Sequence, residues 1–240
     1  MVECHVINLD RTINNFYKQR DHLIQAGVFP KRFKGIDSKN GEHLEYSDYL
    51  TSTCKDSCPD GVVGCGVSHI LLAKKLYEQR TKIALILEDD AYPLVPDLNK
   101  AIEKIISETP KNWDIIKLHC DFCQNGTMNP IGGSAAAYLV SRRGLKKISN
   151  MKLDWHFDLQ ILNDPNLNIY KSKENIFWAD ENISDNRENN TMNLFNFNTS
   201  GQKTTGQMLS YKVFKLFGHE VTGWEILIFV FLILIFLYIK

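Results

Sequence analysis

Short apolar runs recur along the chain, each ending in polar or charged residues and separated by stretches with helical spacing. The first, His5 to Leu9, predicts a strand that leaves Asn8, Asp10 and Arg11 at its carboxyl end. Phe16, Leu23 and Val28 are spread through a helix-like segment that Gly27 would close. A second strand, Lys31 to Ile36, ends at Asp37, and residues 38–60 then form a polar excursion suited to an acceptor loop or a mobile lid. Val67, Ile70, Leu71 and Leu76 make a partial helical stripe. The run Ala84-Leu85-Ile86-Leu87 ends in Glu88-Asp89-Asp90, and Ala91-Tyr92-Pro93 breaks regular structure after it. Asp97 would cap a helix with Leu98, Ile102, Ile105 and Ile106 on one face. Trp113 to His119 supplies another strand, Gly132-Gly133 a turn, Ala135 to Val140 a strand of small residues, and Ser141 opens a basic helix through Lys147. Strand alternating with helix over this length predicts an α/β fold with a parallel sheet.

The acidic triplet is the centre of this arrangement, because ligands of open α/β sheets bind at the carboxyl ends of the strands. Side chains alternate along a strand, so Glu88 and Asp90 project to one side and Asp89 to the other. Three adjacent carboxylates repel. Either water and lysines solvate them, or a hard cation such as Mg²⁺ or Mn²⁺ neutralises them.

Two other stretches carry chemistry. In Gly61-Val62-Val63-Gly64-Cys65-Gly66-Val67-Ser68-His69 the glycines permit close backbone approach, and Ser68 or its neighbours would start a helix. The stretch is neither a Walker loop nor a dinucleotide fingerprint. Asp154-Trp155-His156-Phe157-Asp158 places two acids on one face if it is helical, one of them a possible general base; the alternative is a helix start capped by Asp154.

Composition narrows the partners. The 240 residues carry 28 basic and 28 acidic side chains, with none of the basic excess that a nucleic-acid partner requires. No basic region leads into an apolar core at the amino terminus, so a cleavable signal peptide is not expected. From Ile226 to Ile239 every residue is apolar or aromatic. With Val221 to Trp224 the run approaches the ~20 residues of a single-pass membrane anchor. Lys203, Lys212 and Lys215 precede it and only Lys240 follows, which places the folded domain in the cytosol by the positive-inside rule. Sequons at Asn125, Asn182, Asn189 and Asn198 would be idle in that topology. Of six cysteines, Cys54, Cys58, Cys120 and Cys123 could form a zinc site, or two disulfides in an oxidising compartment; in a reducing cytosol they stay unpaired. The expected organisation is a catalytic domain (residues 1–185), a polar linker (186–220) and the anchor (221–240).

The motifs Val6-Ile7-Asn8-Leu9-Asp10-Arg11, Phe33-Lys34-Gly35-Ile36-Asp37, Gly64 to His69, Leu85 to Asp90, Trp113 to Leu118, Ala137 to Gly144 and Asp154 stand in an order that resembles glycosyltransferase family 25. This is the family of bacterial lipooligosaccharide and collagen hydroxylysine galactosyltransferases, and the likeness runs over roughly residues 4–185. It implies a GT-A-like, Rossmann-type nucleotide-sugar fold, inverting transfer, and a UDP-sugar donor, most often UDP-galactose. It also implies that Glu88, Asp89 and Asp90 take the place of the family's metal-binding acids, with Mn²⁺ or Mg²⁺ as the ion. The family often has His where this chain has Ala136, and Cys54, Cys58 and the carboxyl-terminal run lie outside the pattern. Displacing a nucleoside diphosphate builds charge on the leaving phosphate, which a cation offsets, while the acceptor hydroxyl needs a base. Asp154 is the first candidate for that base, ahead of Asp158 and His69. Asn8, Asp10, Arg11 and Asp37, together with Ser68, would hold the nucleotide, with Arg11 on phosphate. The acceptor would be a glycan, a lipid-linked sugar or a protein. A metal-dependent nucleotide phosphohydrolase and a non-catalytic anchored scaffold are the competing readings.

Overall fold

The computed structural model describes residues 2–119, 134–180 and 212–239. Cys120, Cys123, the Gly132-Gly133 turn, the four sequons, Lys203 and the linker as far as residue 211 lie outside the described residues. The strands are β1 (Glu3–Asn8), β2 (Pro30–Lys34), β3 (Ile83–Glu88), β4 (Ala91–Pro93), β5 (Ile115–Lys117), β6 (Ala137–Ser141), β7 (Ile169–Lys171) and β8 (Phe177–Ala179). Six of them form a central sheet in the order β2-β1-β3-β6-β5-β7.

The sheet is mixed. Its neighbours pair in parallel except around β6, which runs antiparallel to both β3 and β5. This corrects the all-parallel expectation: a strand buried on both faces reads as the same apolar run whichever way it points. The reversal sets the start of β6 beside the end of β3, where the Glu88 amide donates to the Ala136 carbonyl at 2.9 Å.

Helices cover both faces. They are α1 (Ile13–Gln25), α2 (Ser52–Ser57), α3 (Asp60–Glu78), α4 (Leu98–Glu108), α5 (Arg142–Ser149) and α6 (Phe157–Asn163). Phe16 and Leu23 of α1 and Leu98 and Ile102 of α4 pack with Leu85 and Leu87 on one face. Val67, Ile70 and Leu76 of α3, Leu145 and Ile148 of α5, and Phe157 and Ile161 of α6 pack with Ala84 and Ile86 on the other. Strand β3 thus divides its even and odd side chains between the two layers, the period-2 behaviour of a central strand. As expected, Asp97 caps α4 through the Lys100 amide (3.0 Å) and Ser141 caps α5 through the Gly144 amide (3.2 Å).

Several local expectations change. Helix α3 starts at Asp60 and not near Ser68, so its glycines are helical. A Cβ at Gly64 would stand 2.7 Å from the Ile36 carbonyl oxygen, and one at Gly66 2.6 Å from Leu153 Cδ1, so close packing fixes both positions. Residues 91–93, expected as a break, pair with β8. The excursion at 38–60 is built of short 3₁₀ turns and α2, and Cys54 and Cys58 are joined as a disulfide where unpaired thiols were expected.

At the end of the stretch expected to be linker and across its boundary with the expected anchor, β9 (Lys212–Leu216) and β10 (His219–Thr222) form a hairpin. It is fastened to the start of α3 by Lys215 Nζ on Asp60 Oδ1 (2.5 Å) and by the Asp60 amide on Glu220 Oε1 (2.9 Å). A terminal helix, Gly223–Ile239, follows, with exposed apolar side chains from Leu227 to Leu237. Its 17 residues rise about 26 Å, short of the ~30 Å hydrocarbon core. Among the described residues no helix is long and apolar enough to cross a membrane.

Candidate active site

The even-numbered side chains of β3 face α3, and the odd-numbered ones face α1. Glu88 continues the first series: its Oε1 lies 3.2 Å from His69 Nε2 and 3.7 Å from Cys65 Sγ, both on α3. Asp89 continues the second, and its Oδ2 accepts from Asn8 Nδ2 (2.6 Å) and Thr12 Oγ1 (3.2 Å). Burial raises the pKa of Asp89, and the bonds from Asn8 and Thr12 oppose that rise. The alternation read from the sequence therefore separates Glu88 from Asp89.

Asp90 stands in the turn after β3. Its Oδ1 is sealed from solvent and has no hydrogen-bond partner among the described residues. Burial, then the charges of Glu88 and Asp89, push its pKa well above the usual carboxylate value. The turn is held from behind by Gln19 on α1, whose Nε2 donates to the carbonyls of Glu88 (2.6 Å) and Ala91 (2.5 Å).

The nucleotide-binding candidates lie mainly at the ends of β1 and β2. Asn8 Oδ1 accepts from Arg32 Nε (2.7 Å), and Arg32 Nη2 donates to Asp10 Oδ1 (2.6 Å). Hydrogen bonds from Arg32 and Lys34 lower the Asp10 pKa. Arg11 Nε donates to Asp37 Oδ2 at 2.9 Å, so the expected phosphate partner already holds a carboxylate. Asp37 is buried and also accepts from the Lys39 amide (3.0 Å). Ser68 is placed elsewhere, inside the core. It donates to the Gly64 carbonyl (2.6 Å) and accepts from the Ile36 amide (2.8 Å), which joins α3 to the end of β2.

The candidate bases separate as well. Asp154 and Asp158 do not share a helical face, because α6 begins at Phe157. Asp154 is exposed and does not cap α6: its Oδ1 accepts from Thr51 Oγ1 (2.6 Å), while its amide donates to Gln160 Oε1 (2.8 Å). Asp158 is half-buried and its charge reaches both Cys65 and Lys117. His69 is fully buried, stacked on Phe157 with ring centroids 4.5 Å apart, and its Nδ1 meets Tyr138 Oη at 2.9 Å.

Sequence reasoning missed Cys65, Tyr138, Gln19, Arg32 and Lys117. Cys65 lies one helical turn from His69, a spacing visible in the sequence. It is open to solvent but crowded by protein, and that crowding, followed by the charges of Glu88 and Asp158, raises its thiol pKa well above the ordinary value. Lys117 is fully buried with no hydrogen-bond partner for Nζ among the described residues. Burial lowers its pKa to about 8, against the opposing charge of Asp158.

Comparison with known proteins gives this geometry a context. The family description "Glycosyltransferase family 25 (LPS biosynthesis protein)" matches residues 1–217. A "Glycosyltransferase 25 family member" of Aedes aegypti is 21% identical over 206 residues, covering 73% of this chain and 34% of that protein. The chain thus spans about a third of the relative's length. Two solved glycosyltransferases are similar at 12% identity. One, involved in glycosylating the major capsid of PBCV-1, has a TM-score of 0.43 over 70% of this chain and 81% of its own. The other is a Drosophila beta-1,4-galactosyltransferase 7 mutant in complex with manganese, UDP-Gal and xylobiose, with a TM-score of 0.37 over 74% and 69%. The match over residues 1–217 takes in every strand of the central sheet and the whole acidic turn, and the chain accordingly belongs to glycosyltransferase family 25.

Proposed function

We propose that the protein transfers a hexosyl group, galactose first, from a UDP-sugar to an acceptor hydroxyl with inversion, using a GT-A-like fold and a divalent cation. The observation that carries the metal half of this reading is Asp90, whose buried Oδ1 lacks a hydrogen-bond partner among the described residues and feels the charges of two further carboxylates. That is the donor set and charge a hard ion favours. Glu88 and Asp90 would hold the ion, while Asp89, committed to Asn8 and Thr12, anchors the turn to β1 and α1. The bound ion would supply charge stabilisation of the leaving diphosphate.

The chain's own residues supply the rest. Asn8, Asp10, Arg11, Arg32 and Asp37 form a polar cluster at the adjoining strand ends, suited to uridine and ribose. The hydroxyl's proton needs a carboxylate within reach. Asp158 acts electrostatically on Cys65 together with Glu88 and Asp90, which favours it over Asp154. His69 engages neighbours through both ring nitrogens, which suits a positioning role better than proton removal.

Placement of the domain is a separate reading. The exposed apolar helix Gly223–Ile239 is a candidate membrane contact, and Lys212 and Lys215 before it favour a cytosolic domain. The Cys54–Cys58 disulfide favours an oxidising compartment instead. A glycosidase-sensitive mass shift at the sequons would decide for the latter.

The testing experiment is a UDP-sugar panel with Mn²⁺ and EDTA controls on the full chain. Sugar transfer that needs both metal and acceptor supports the reading. Phosphate release without an acceptor, or no turnover of any UDP-sugar with metal present, overturns it.

A further inference from the structure

Beside the acidic turn, Glu88 also meets a second constellation, whose Cys65 the proposed transfer leaves unused. Cys65 and His69 are four residues apart on α3, so both side chains sit on one face, and the end of β3 brings Glu88 against them. Sγ of Cys65, one ring nitrogen of His69 and one carboxylate oxygen of Glu88 all lie within 4.8 Å of one another. Two of the separations are 3.2 Å (His69 Nε2 to Glu88 Oε1) and 3.7 Å (Cys65 Sγ to Glu88 Oε1). A tetrahedral ion with bonds of about 2.0–2.3 Å sets its ligand atoms about 3.3–3.7 Å apart. Both separations from Glu88 already lie at or near those edges, and the third, between Cys65 and His69, is within 4.8 Å.

The surroundings complete the case. A metal-binding imidazole is normally oriented by a partner on its other nitrogen. Here Tyr138 Oη meets Nδ1 of His69 at 2.9 Å, and the flat stack on Phe157 fixes the ring plane. Cys65 is exposed, which gives an ion a way in and leaves a coordination position facing solvent. Glu88, Asp158 and Asp90 all direct negative charge at this spot. A mixed sulfur, nitrogen and oxygen set is the choice of a thiophilic ion and a poor one for Mg²⁺ or Mn²⁺.

We propose that Cys65, His69 and Glu88 form a three-ligand site for a thiophilic divalent ion of the zinc class, and that filling it draws Glu88 away from the hard-ion position and so inhibits transfer. The second half rests on the function proposed above; the binding itself does not. On binding, the thiol gives its proton to solvent and His69 coordinates through Nε2 as the neutral tautomer whose proton sits on Nδ1, facing Tyr138 Oη, so affinity falls as pH is lowered.

The test is a Cd²⁺ titration of the full, chelator-treated chain, with Cys120 and Cys123 replaced by serine throughout so that they add no thiolate signal, read by the ultraviolet charge-transfer band of a cadmium–thiolate bond. One equivalent should produce the band. Cys65→Ser, a solvent-facing change with thermal unfolding as its folding control, should abolish it. Tyr138→Phe should keep the band but weaken binding about 10- to 100-fold. A band that persists in Cys65→Ser, or none in the wild type, overturns the site. In Mn²⁺-supported transfer, added Zn²⁺ should inhibit the wild type and spare Cys65→Ser; a stoichiometric band without inhibition refutes the coupling through Glu88. If no UDP-sugar is turned over at all, the band still decides the site, so the two proposals fail separately.

Discussion

Asp90→Asn is the most informative substitution, because it should separate folding from function in opposite directions. Among the described residues Asp90 Oδ1 is buried without a hydrogen-bond partner and feels the charges of Glu88 and Asp89. A buried polar atom left unsatisfied costs about 1–3 kcal/mol, and more when charged. Asparagine removes the charge and keeps the shape, so the metal-free variant should be more stable than wild type by about 1–2 kcal/mol. For a domain of this size that is a rise in Tm of about 2–8 °C. Excess Mn²⁺ should reverse the order, because an ion at 100 times its Kd adds about 2.7 kcal/mol to the protein that binds it. Thermal unfolding in EDTA and in Mn²⁺, run beside a transfer assay, gives both readouts. A metal-free variant less stable than wild type would refute the charge-crowding argument. Equal stabilisation of both proteins by Mn²⁺ would remove Asp90 from the ion.

The other predictions concern groups around that turn and beneath it. Asp114 is fully buried, with Arg143 Nε at 2.5 Å, Lys147 Nζ at 2.6 Å and the Asn168 amide at 2.9 Å. Burial pushes its pKa up, but these bonds outweigh it and the net shift is downward, so its contribution is present above the unfolded aspartate pKa and is lost as pH falls through the folded one. Asp114→Asn should cost about 2–3 kcal/mol in urea unfolding at neutral pH, the low end for a buried pair because Arg143 and Lys147 reach solvent, and the difference should shrink in acid. Gly64→Ala should lower stability by about 1–3 kcal/mol, since the new methyl meets the Ile36 backbone and that carbonyl has no rotamer to change; an unchanged Tm would contradict this. Asp158→Asn should reduce turnover by about 10²–10⁴-fold with little change in donor binding, and a larger loss in Asp154→Asn would move the base to Asp154. Reducing the Cys54–Cys58 disulfide should cost about 2 kcal/mol by loop entropy. It should also loosen Asp154, because Thr51 both caps α2 and holds that carboxylate.

Most strands were legible because each is an apolar run bounded by polar residues, and burial on both faces of the sheet demands that pattern. Direction was not legible. Ala137 to Val140 reads the same pointing either way, and only pairing with Leu85 and Ile116 shows that β6 is reversed. Helix α3 was misplaced at its start for a different reason. Glycine lowers helix propensity by about 1 kcal/mol, so a run with Gly61, Gly64 and Gly66 reads as a loop; packing against Ile36 and Leu153 overrides that local preference.

The same contrast explains the site. The division of Glu88 from Asp89 follows from β-strand alternation, a rule that operates within a few residues, and it could be read directly. Contacts that cross the fold could not. Ser68 looked available until the Ile36 amide and the Gly64 carbonyl were found to occupy it, and Arg11 looked like a phosphate ligand until Asp37 came within 2.9 Å. Cys65 is the instructive omission. Its spacing to His69 was present in the sequence, but a thiol one turn from an imidazole gains chemical meaning only beside a third donor, and here Glu88, the first acid of the triplet, stands within reach of both. On the two proposals above, Glu88 would serve two chemistries, a hard ion shared with Asp90 and a soft ion shared with α3. Which of them occupies Glu88 should then depend on the relative supply of manganese-like and zinc-like ions, and a Cys65→Ser protein, having lost the sulfur that favours the second, should hold the first over a wider range of zinc concentration.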